Sequence, residues 1–342
     1  MLNETRNISI YLPANYEYSD VKYPVLYLLD GSAHLQHASG AADYLAIRGI
    51  IPDIIIVAIH NIDRTRDFSP VHIESAPTTG GAEKFLGFLS RELVPELDKS
   101  YRTAGFNILL GHSFGGTFIG YVLLAEPDLF DAYLAVSPAL MYADNYVVKE
   151  ASEKLKPFRD TKYFYMTVGN EKTYFASLEE YATILTEKAG ESVEFKYVKM
   201  MDENHGTTPY PTVFSGLKFI YKDWILPQEM LQADLKTIDD HYKKVSKKYG
   251  IEVVTPELVI NTVGYTYLQN REYEKAIATF KTNVERYPES ANVYDSLGET
   301  YENNGEPDKA AQNYQKAVSL GEKNGDANLA VYKTNLERVS KK

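Results

Sequence analysis

The chain has 342 residues, 44% of them hydrophobic, and carries a net charge of −11 at pH 7 with a pI near 5.2. That length suits one large domain plus a small one, and the negative charge speaks against nucleic acid or an anionic membrane as a partner. The absence of cysteine removes disulfides, cysteine-type zinc sites and a thiol nucleophile, and there is no 18-residue apolar stretch to cross a membrane. No signal peptide opens the chain, which enters a strand pattern almost at once. It reads as cytoplasmic as it stands, or as periplasmic or secreted if an export signal has been removed. Tyrosine is abundant, with 28 residues against one tryptophan. The plain reading is half-buried rings with wet hydroxyls, ahead of a surface for sugars or aromatics.

In chain order, strand patterns fall at 7–12, 24–29, 53–59, 106–110, 132–136, 162–168 and 193–200. Several are unbroken apolar runs, as in parallel strands buried on both faces. Helical patterns fall between them at 82–98, 116–125, 176–189 and 211–224. The alternation predicts a doubly wound, mostly parallel α/β sheet over residues 1–226. After Trp224 the strands stop. Leu231, Leu235, Ile238, Tyr242, Val245 and Tyr249 recur at helical spacing, and Gly250 ends that stripe. Lys247 and Lys248 in its last turn read as a solvated face that complements the helix dipole. Residues 227–256 are therefore a helical linker.

A repeat follows over residues 257–342. Tyr294, Leu297, Gly298, Tyr301, Gly305, Ala310, Tyr314 and Ala317 fit a tetratricopeptide helix-turn-helix unit. Thirty-four residues earlier stand Ile260, Val263, Gly264, Tyr267, Arg271, Ala276, Phe280 and Asn283. Arg271 and Asn283 depart from the pattern, so the first unit is the weaker one. Residues 326–340 read as a capping helix. Two units fall short of the usual minimum of about three. The segment is expected to lean on the α/β domain or on a second subunit, through a homodimer or another protein partner.

The densest chemical signal is Gly111-His112-Ser113-Phe114-Gly115-Gly116, between the apolar run 106–110 and a helical run. Strand, G-x-S-x-G, helix is the nucleophile elbow of the α/β-hydrolases. A serine hydroxyl is a weak nucleophile. It needs exposure, a nearby base and backbone N–H groups for an oxyanion. In that fold the histidine follows the serine, and only His205 and His241 do so here. His241 lies beside a lysine-rich helix. His205 sits in a loop directly after the last strand pattern and is the expected base. For the acid, Glu171 comes right after the 162–168 strand, where such sheets place functional groups. Asp202, which opens the histidine loop, is the alternative. One oxyanion amide is expected from Phe114. The other is expected from the loop after the 24–29 strand, where Gly31 allows close approach and Ser32 is the favoured donor.

His34 and His37 stand three apart in that loop. Without a third ligand at matching spacing they read as polar pocket rim and not as a metal site. No metal and no cofactor is expected. His60 and Asn61 are also placed at the rim. Asp63, Arg64, Arg66 and Asp67 read as a loop locked by mutual ion pairs.

Taken together, residues 6–13, 23–31, 61–70, 92–95, 101–102, the elbow at 111–116, 137–138 and 203–206 resemble the esterase D and enterochelin-esterase type of α/β-hydrolase. The likeness extends over nearly all of residues 4–224. It implies an α/β-hydrolase fold, ester cleavage without a cofactor, Ser113 as nucleophile and His205 as base. It helps less with the acid, which varies among relatives. Family substrates include siderophore esters, feruloyl and acetyl sugars and S-formylglutathione. A serine carboxylesterase acting through an acyl-enzyme is the expected function, on siderophore-type or acyl-sugar esters. Two alternatives remain open: an acyltransferase using the same triad, and a scaffold in which the repeat binds a partner and hydrolysis is secondary.

Overall fold

The computed structural model describes residues 2–14, 16–18 and 20–341, without the side chain of Tyr18. The chain divides into two compact units. The first runs to Ile225 and includes Lys247–Glu252; the second comprises Leu226–Ser246 and Val253 onward.

In the first unit the order is β1 (Ile8–Tyr11), β2 (Tyr23–Leu28), α1 (Gly31–Ile47), β3 (Ile55–Ile59), α2 (Arg64–Phe68), α3 (Ala82–Phe88), α4 (Val94–Ser100), β4 (Thr103–His112), α5 (Phe114–Ala125), β5 (Ala132–Val136), α6 (Tyr142–Lys154), β6 (Lys162–Val168), α7 (Lys172–Ala189), β7 (Val193–Lys199) and α8 (Pro209–Ile220). The seven strands form one sheet in the order β1-β3-β2-β4-β5-β6-β7. β1 is antiparallel to β3, and every other pairing is parallel. The doubly wound expectation therefore holds.

The apolar runs reflect burial on both faces. Val25, Tyr27, Leu109, Tyr133 and Phe164 share a core with Phe118 of α5, Val147 of α6 and Leu178 of α7. α1 and α8 pack on each other. Gly31 at the start of α1 is buried so tightly that a Cβ would lie 2.8 Å from the Ala58 backbone of β3.

The sheet winds outward in both directions from β2 and β4. The crevice at their carboxyl ends is the switch point, where such sheets bind ligands. α1 leaves β2 there, and α5 leaves β4 there.

Three helices were not visible in the sequence pattern: α1, α2 and α6. Residues 30–34, expected as a loop, are the start of α1. Its sequence is rich in Gly, Ala, Ser and His and lacks a strong apolar stripe. α6 opens with three left-handed residues, Ala143, Asp144 and Asn145.

The second unit continues from most of α9 (Leu235–Tyr249) into α10 (Glu257–Gln269), α11 (Tyr273–Arg286), α12 (Ala291–Asn303), α13 (Pro307–Asn324) and α14 (Leu329–Ser340). Leu231, read as part of the α9 stripe, lies in a short 3-10 turn before it. The repeat geometry is duplicated. A Cβ on Gly264 would lie 2.5 Å from the Phe280 ring, and one on Gly298 would lie 2.8 Å from the Tyr314 ring. Only a glycine lets an aromatic ring cross at that distance. Within this unit Arg286 bonds both carboxylate oxygens of Asp239, each at 2.7 Å.

The departures from the repeat pattern have structural counterparts. The turn of the second repeat places Gly305 at φ 78°, and the first places Arg271 at φ 58°. An L-residue there costs about 1–2 kcal/mol. Asn283 is fully buried and donates to the Glu257 carbonyl at 3.3 Å. Arg271→Gly should raise the stability of the repeat unit by about 1 kcal/mol. A urea titration followed by far-UV circular dichroism reads this as a higher midpoint, and an unchanged or lower midpoint contradicts it.

Candidate active site

Ser113 occupies the single residue between β4 and α5, with φ 60° and ψ −114°. That conformation is strained by roughly 1–3 kcal/mol for a non-glycine residue. It persists because the chain cannot relax around it. A Cβ on Gly111 would lie 2.5 Å from the Gly115 backbone, so the strand end and helix start touch. The Ser113 amide also donates to the Val136 carbonyl of β5 at 2.9 Å. The result is a hydroxyl at the N-terminus of α5, beside first-turn amides without helical partners.

His205 lies in the loop from β7 to α8. Asn204 shapes this loop by accepting from the amides of Gly206 (2.9 Å) and Thr207 (3.2 Å). The Asn170 amide ties it to β6 by donating to the Glu203 carbonyl at 2.7 Å. His205 Nδ1 bonds Glu171 Oε1 at 2.5 Å. The other oxygen of Glu171 accepts from the Ser137 hydroxyl at 2.6 Å and the Gly169 amide at 3.2 Å. The Glu171 side chain is 10% exposed and the His205 ring 40%. Asp202 is exposed.

Ser113 and His205 open on one cavity of about 860 Å³. His34, His37 and His112 also line it. These imidazoles form a row. His34 Nδ1 and His37 Nε2 are 2.9 Å apart. The His34 and His112 rings are 5.6 Å apart, and the His112 and His205 rings 4.4 Å. Burial lowers the pKa of His34, and it lowers those of His37 and His112 to about 4, helped by neighbouring histidines. Among the described residues, no group of three or more His, Cys, Asp or Glu side chains is arranged to hold a metal.

Arg64 adjoins the row, its guanidinium donating to the His112 carbonyl at 3.4 Å. Its guanidinium donates to both oxygens of Asp30, at 2.9 and 3.1 Å, and lines the cavity. Asp30, itself left-handed at φ 53°, also accepts from Asn61. The expected lock of mutual ion pairs is thus only partly present. Arg66 does bond Asp67, at 2.8 Å, and reaches Glu4 at 2.7 Å. Asp63 caps α2 by accepting from the Arg66 amide at 2.9 Å. Arg64 instead turns to Asp30 and the cavity.

The remaining expected residues are distributed as follows. Phe114 is the first residue of α5, its ring edge-on to Tyr142 at 5.0 Å. Gly31 and Ser32 form the first turn of α1, and the Ser32 hydroxyl bonds His60 Nδ1 at 2.6 Å. The other nitrogen of His60 bonds Ser9 at 2.8 Å. His34 lines the cavity, whereas His60 and Asn61, expected at the rim, are not part of its lining. Sequence reasoning gave no role to Ser137, Asp30, His112 or Tyr174. The Tyr174 ring packs 5.6 Å from His205. His112 was in view within the elbow. Ser137, at the end of an apolar strand and at φ 39°, carried a signal only by position.

The family described as "Putative esterase" matches residues 1–205, and a tetratricopeptide repeat matches 291–324. The ferri-bacillibactin esterase BesA of Bacillus subtilis is 31% identical over 149 residues, 37% of this chain and 52% of that protein. The siderophore triacetylfusarinine C esterase of Aspergillus fumigatus is 28% identical over 151 residues, 41% of this chain and 50% of that protein. The chain thus spans about half the length of the curated relatives it matches. Among solved structures, an IroE-like serine hydrolase from Shewanella oneidensis is 26% identical with a TM-score of 0.69, covering 84% of this chain and 96% of its own. An uncharacterised protein from Capnocytophaga ochracea shares the fold over 100% of this chain and 97% of its own, at 18% identity and a TM-score of 0.74. The match over 1–205 takes in more than half of the residues, and the chain belongs to this esterase family, with a tetratricopeptide repeat in its C-terminal part.

Proposed function

We propose that the protein is a serine carboxylic-ester hydrolase working through an acyl-enzyme on Ser113. The observation that carries this reading is the His205–Glu171 bond, with His205 lining the same cavity as a strained serine at a helix N-terminus. In this reading His205 Nε2 takes the Ser113 proton as the hydroxyl attacks the ester carbonyl. The amides of Phe114 and Ser32, each in the first turn of a helix, stabilise the oxyanion. His205 returns the proton to the leaving alcohol. It then activates the water that releases the acid. Glu171 keeps the ring in the tautomer with Nδ1 protonated and steadies the imidazolium; it does not take the proton.

For substrate, we propose a siderophore-type ester, with acyl-sugar esters as the second class to test. The two named siderophore esterases support the first. So does a polar cavity wall that offers Arg64 and a row of imidazoles to acidic oxygens.

Ser113→Ala should abolish fluorophosphonate labelling and reduce p-nitrophenyl acetate turnover by about 10³-fold or more. Equal turnover by variant and wild type would end the mechanism. Glu171→Ala should cost about 10²–10⁴-fold in kcat, against less than about twofold for Asp202→Ala, which is exposed. The reverse ranking would assign the acid to Asp202.

The buried imidazoles also set a pH limit. In the unfolded chain His37 and His112 titrate near 6.5; in the folded protein they titrate at about 4. Between those values the unfolded state binds more protons. Stability is therefore complete above the unfolded value and falls as pH drops from about 6.5 towards 4. The urea midpoint of His112→Phe should fall less steeply over that window than that of wild type. Coincident slopes would show that His112 carries no such penalty.

A further inference from the structure

Tyr174 stands three residues after Glu171, in the first turn of α7, and its amide donates to the Glu171 carbonyl at 2.9 Å. One turn of backbone thus carries both the carboxylate and the phenol. The Tyr174 ring is half-buried and packs on the sheet core, as does the Phe114 ring beside the nucleophile. Its centroid lies 5.6 Å from that of His205, with the planes at 52°. Its hydroxyl and the Ser113 side chain are hydrogen-bond partners. Tyr174 therefore touches the base with its ring and the nucleophile with its hydroxyl. It is not part of the lining of the cavity that Ser113 and His205 share, so loss of its hydroxyl leaves that wall as it is. Burial holds the Tyr174 phenol above its usual pKa and the Glu171 charge adds to this, against a lowering by the Ser113 hydrogen bond. The hydroxyl keeps its proton at neutral pH and is available as a donor.

We propose that Tyr174 is a further catalytic residue, whose hydroxyl donates to Ser113 Oγ while that oxygen carries charge. The proposal rests on the esterase reading and adds to it a donor aimed at the nucleophile itself. In the resting enzyme either hydroxyl can donate to the other. Once His205 has taken the serine proton, Oγ has none to give, and the phenol is the donor. A bond between two neutral hydroxyls then becomes a bond to a charged oxygen, which is shorter and about twice as strong. That gain arises in the transition state and not in the bound substrate, so it raises kcat and leaves KM alone. Deacylation runs the same exchange in reverse. The acyl carbon–Oγ bond breaks, Oγ leaves with the bonding pair under the phenol hydrogen bond, and His205 returns its proton. Tyr174 keeps its own proton throughout.

The test is Tyr174→Phe, which keeps the ring against His205 and removes only the hydroxyl. Two rates are read: labelling of Ser113 by a fluorophosphonate, and steady-state turnover of p-nitrophenyl acetate. Both should fall by about tenfold to a hundredfold, with KM within about twofold of wild type. Fluoride and p-nitrophenolate leave without needing a proton. A phenol that served only to protonate a leaving group would therefore leave both rates unchanged, and that result overturns the proposal. A loss expressed in KM alone overturns it too. Replacement of Tyr174 by 3-fluorotyrosine keeps the hydroxyl and, through its more acidic phenol, makes it a better donor. It should recover the loss caused by phenylalanine, and it decides alone if the phenylalanine form does not fold. Failure to recover would place the effect in the ring and not in the hydroxyl, against the proposal. Wild type that takes no label and cleaves no p-nitrophenyl acetate ends the esterase reading and this proposal with it. Active wild type beside an equally active Tyr174→Phe ends this proposal alone.

Discussion

The Glu171 carboxylate is the constraint on which the rest of the site depends. It is nearly buried, so its charge must be met by hydrogen bonds, and it has three: the Ser137 hydroxyl, the Gly169 amide and the His205 ring. Two of these come from parts of the chain that the sheet already fixes, at the ends of β5 and β6. Those two bonds tie the carboxylate to the sheet independently of the histidine loop. His205 is in the opposite situation. Its loop is wound by Asn204, but its ring is 40% exposed and needs Glu171 to choose one orientation. Strain at Ser137 (φ 39°) and at Ser113 (φ 60°) is thus held in place by the same parallel strands. The sheet contributes geometry, and the three-bond carboxylate converts it into one tautomer of one ring.

The cavity lined by Ser113 and His205 combines two electrostatic environments. Arg64 is tied to Asp30, so its charge is balanced and its direction fixed. The row from His37 to His112 is held neutral by burial. The His112 ring packs 4.4 Å from that of His205, whose Nδ1 bonds Glu171.

How much of this was legible in the sequence follows from how local each signal is. The parallel strands were legible because both faces are buried, which leaves unbroken apolar runs. The elbow was legible because sterics dictate glycine two residues before and after the serine. Ser113 was legible from the elbow motif, His205 from its place after the serine in a loop following the last strand, and Glu171 from its place after β6, and the structure brings the latter two within a hydrogen bond. α1 was not legible, because its small residues answer to close packing on β3 and α8 rather than to amphipathic periodicity. Arg64 was misread for a different reason. A cluster of two arginines and two aspartates looks self-sufficient in sequence, but Asp30 from the switch point takes one arginine out of it. The tyrosines were expected as half-buried rings with wet hydroxyls, but Tyr23, Tyr27, Tyr133, Tyr181 and Tyr221 are buried outright. Tyr44 and Tyr210 are not, and composition has no means of telling the two kinds apart.

The repeat unit shows the same relation between local rule and tertiary demand. Gly298 and Gly264 are dictated by ring contacts in their own helix pair, so both repeats keep them. Arg271 stands where its counterpart, Gly305, uses a conformation suited to glycine, and Asn283 stands buried where its counterpart Ala317 has no polar group to satisfy. Each departure costs free energy in the first repeat, and the second repeat shows that the fold does not need it. A family model for the repeat matches 291–324, the copy whose turn and core obey the local rules. Both helix pairs thus share the crossing glycine and aromatic ring, while they differ in the turn residue and in interior polarity. That order of constraint, close approach first and backbone strain second, is the one that also governs the elbow, where Gly111 makes room for the contact and Ser113 bears the strain.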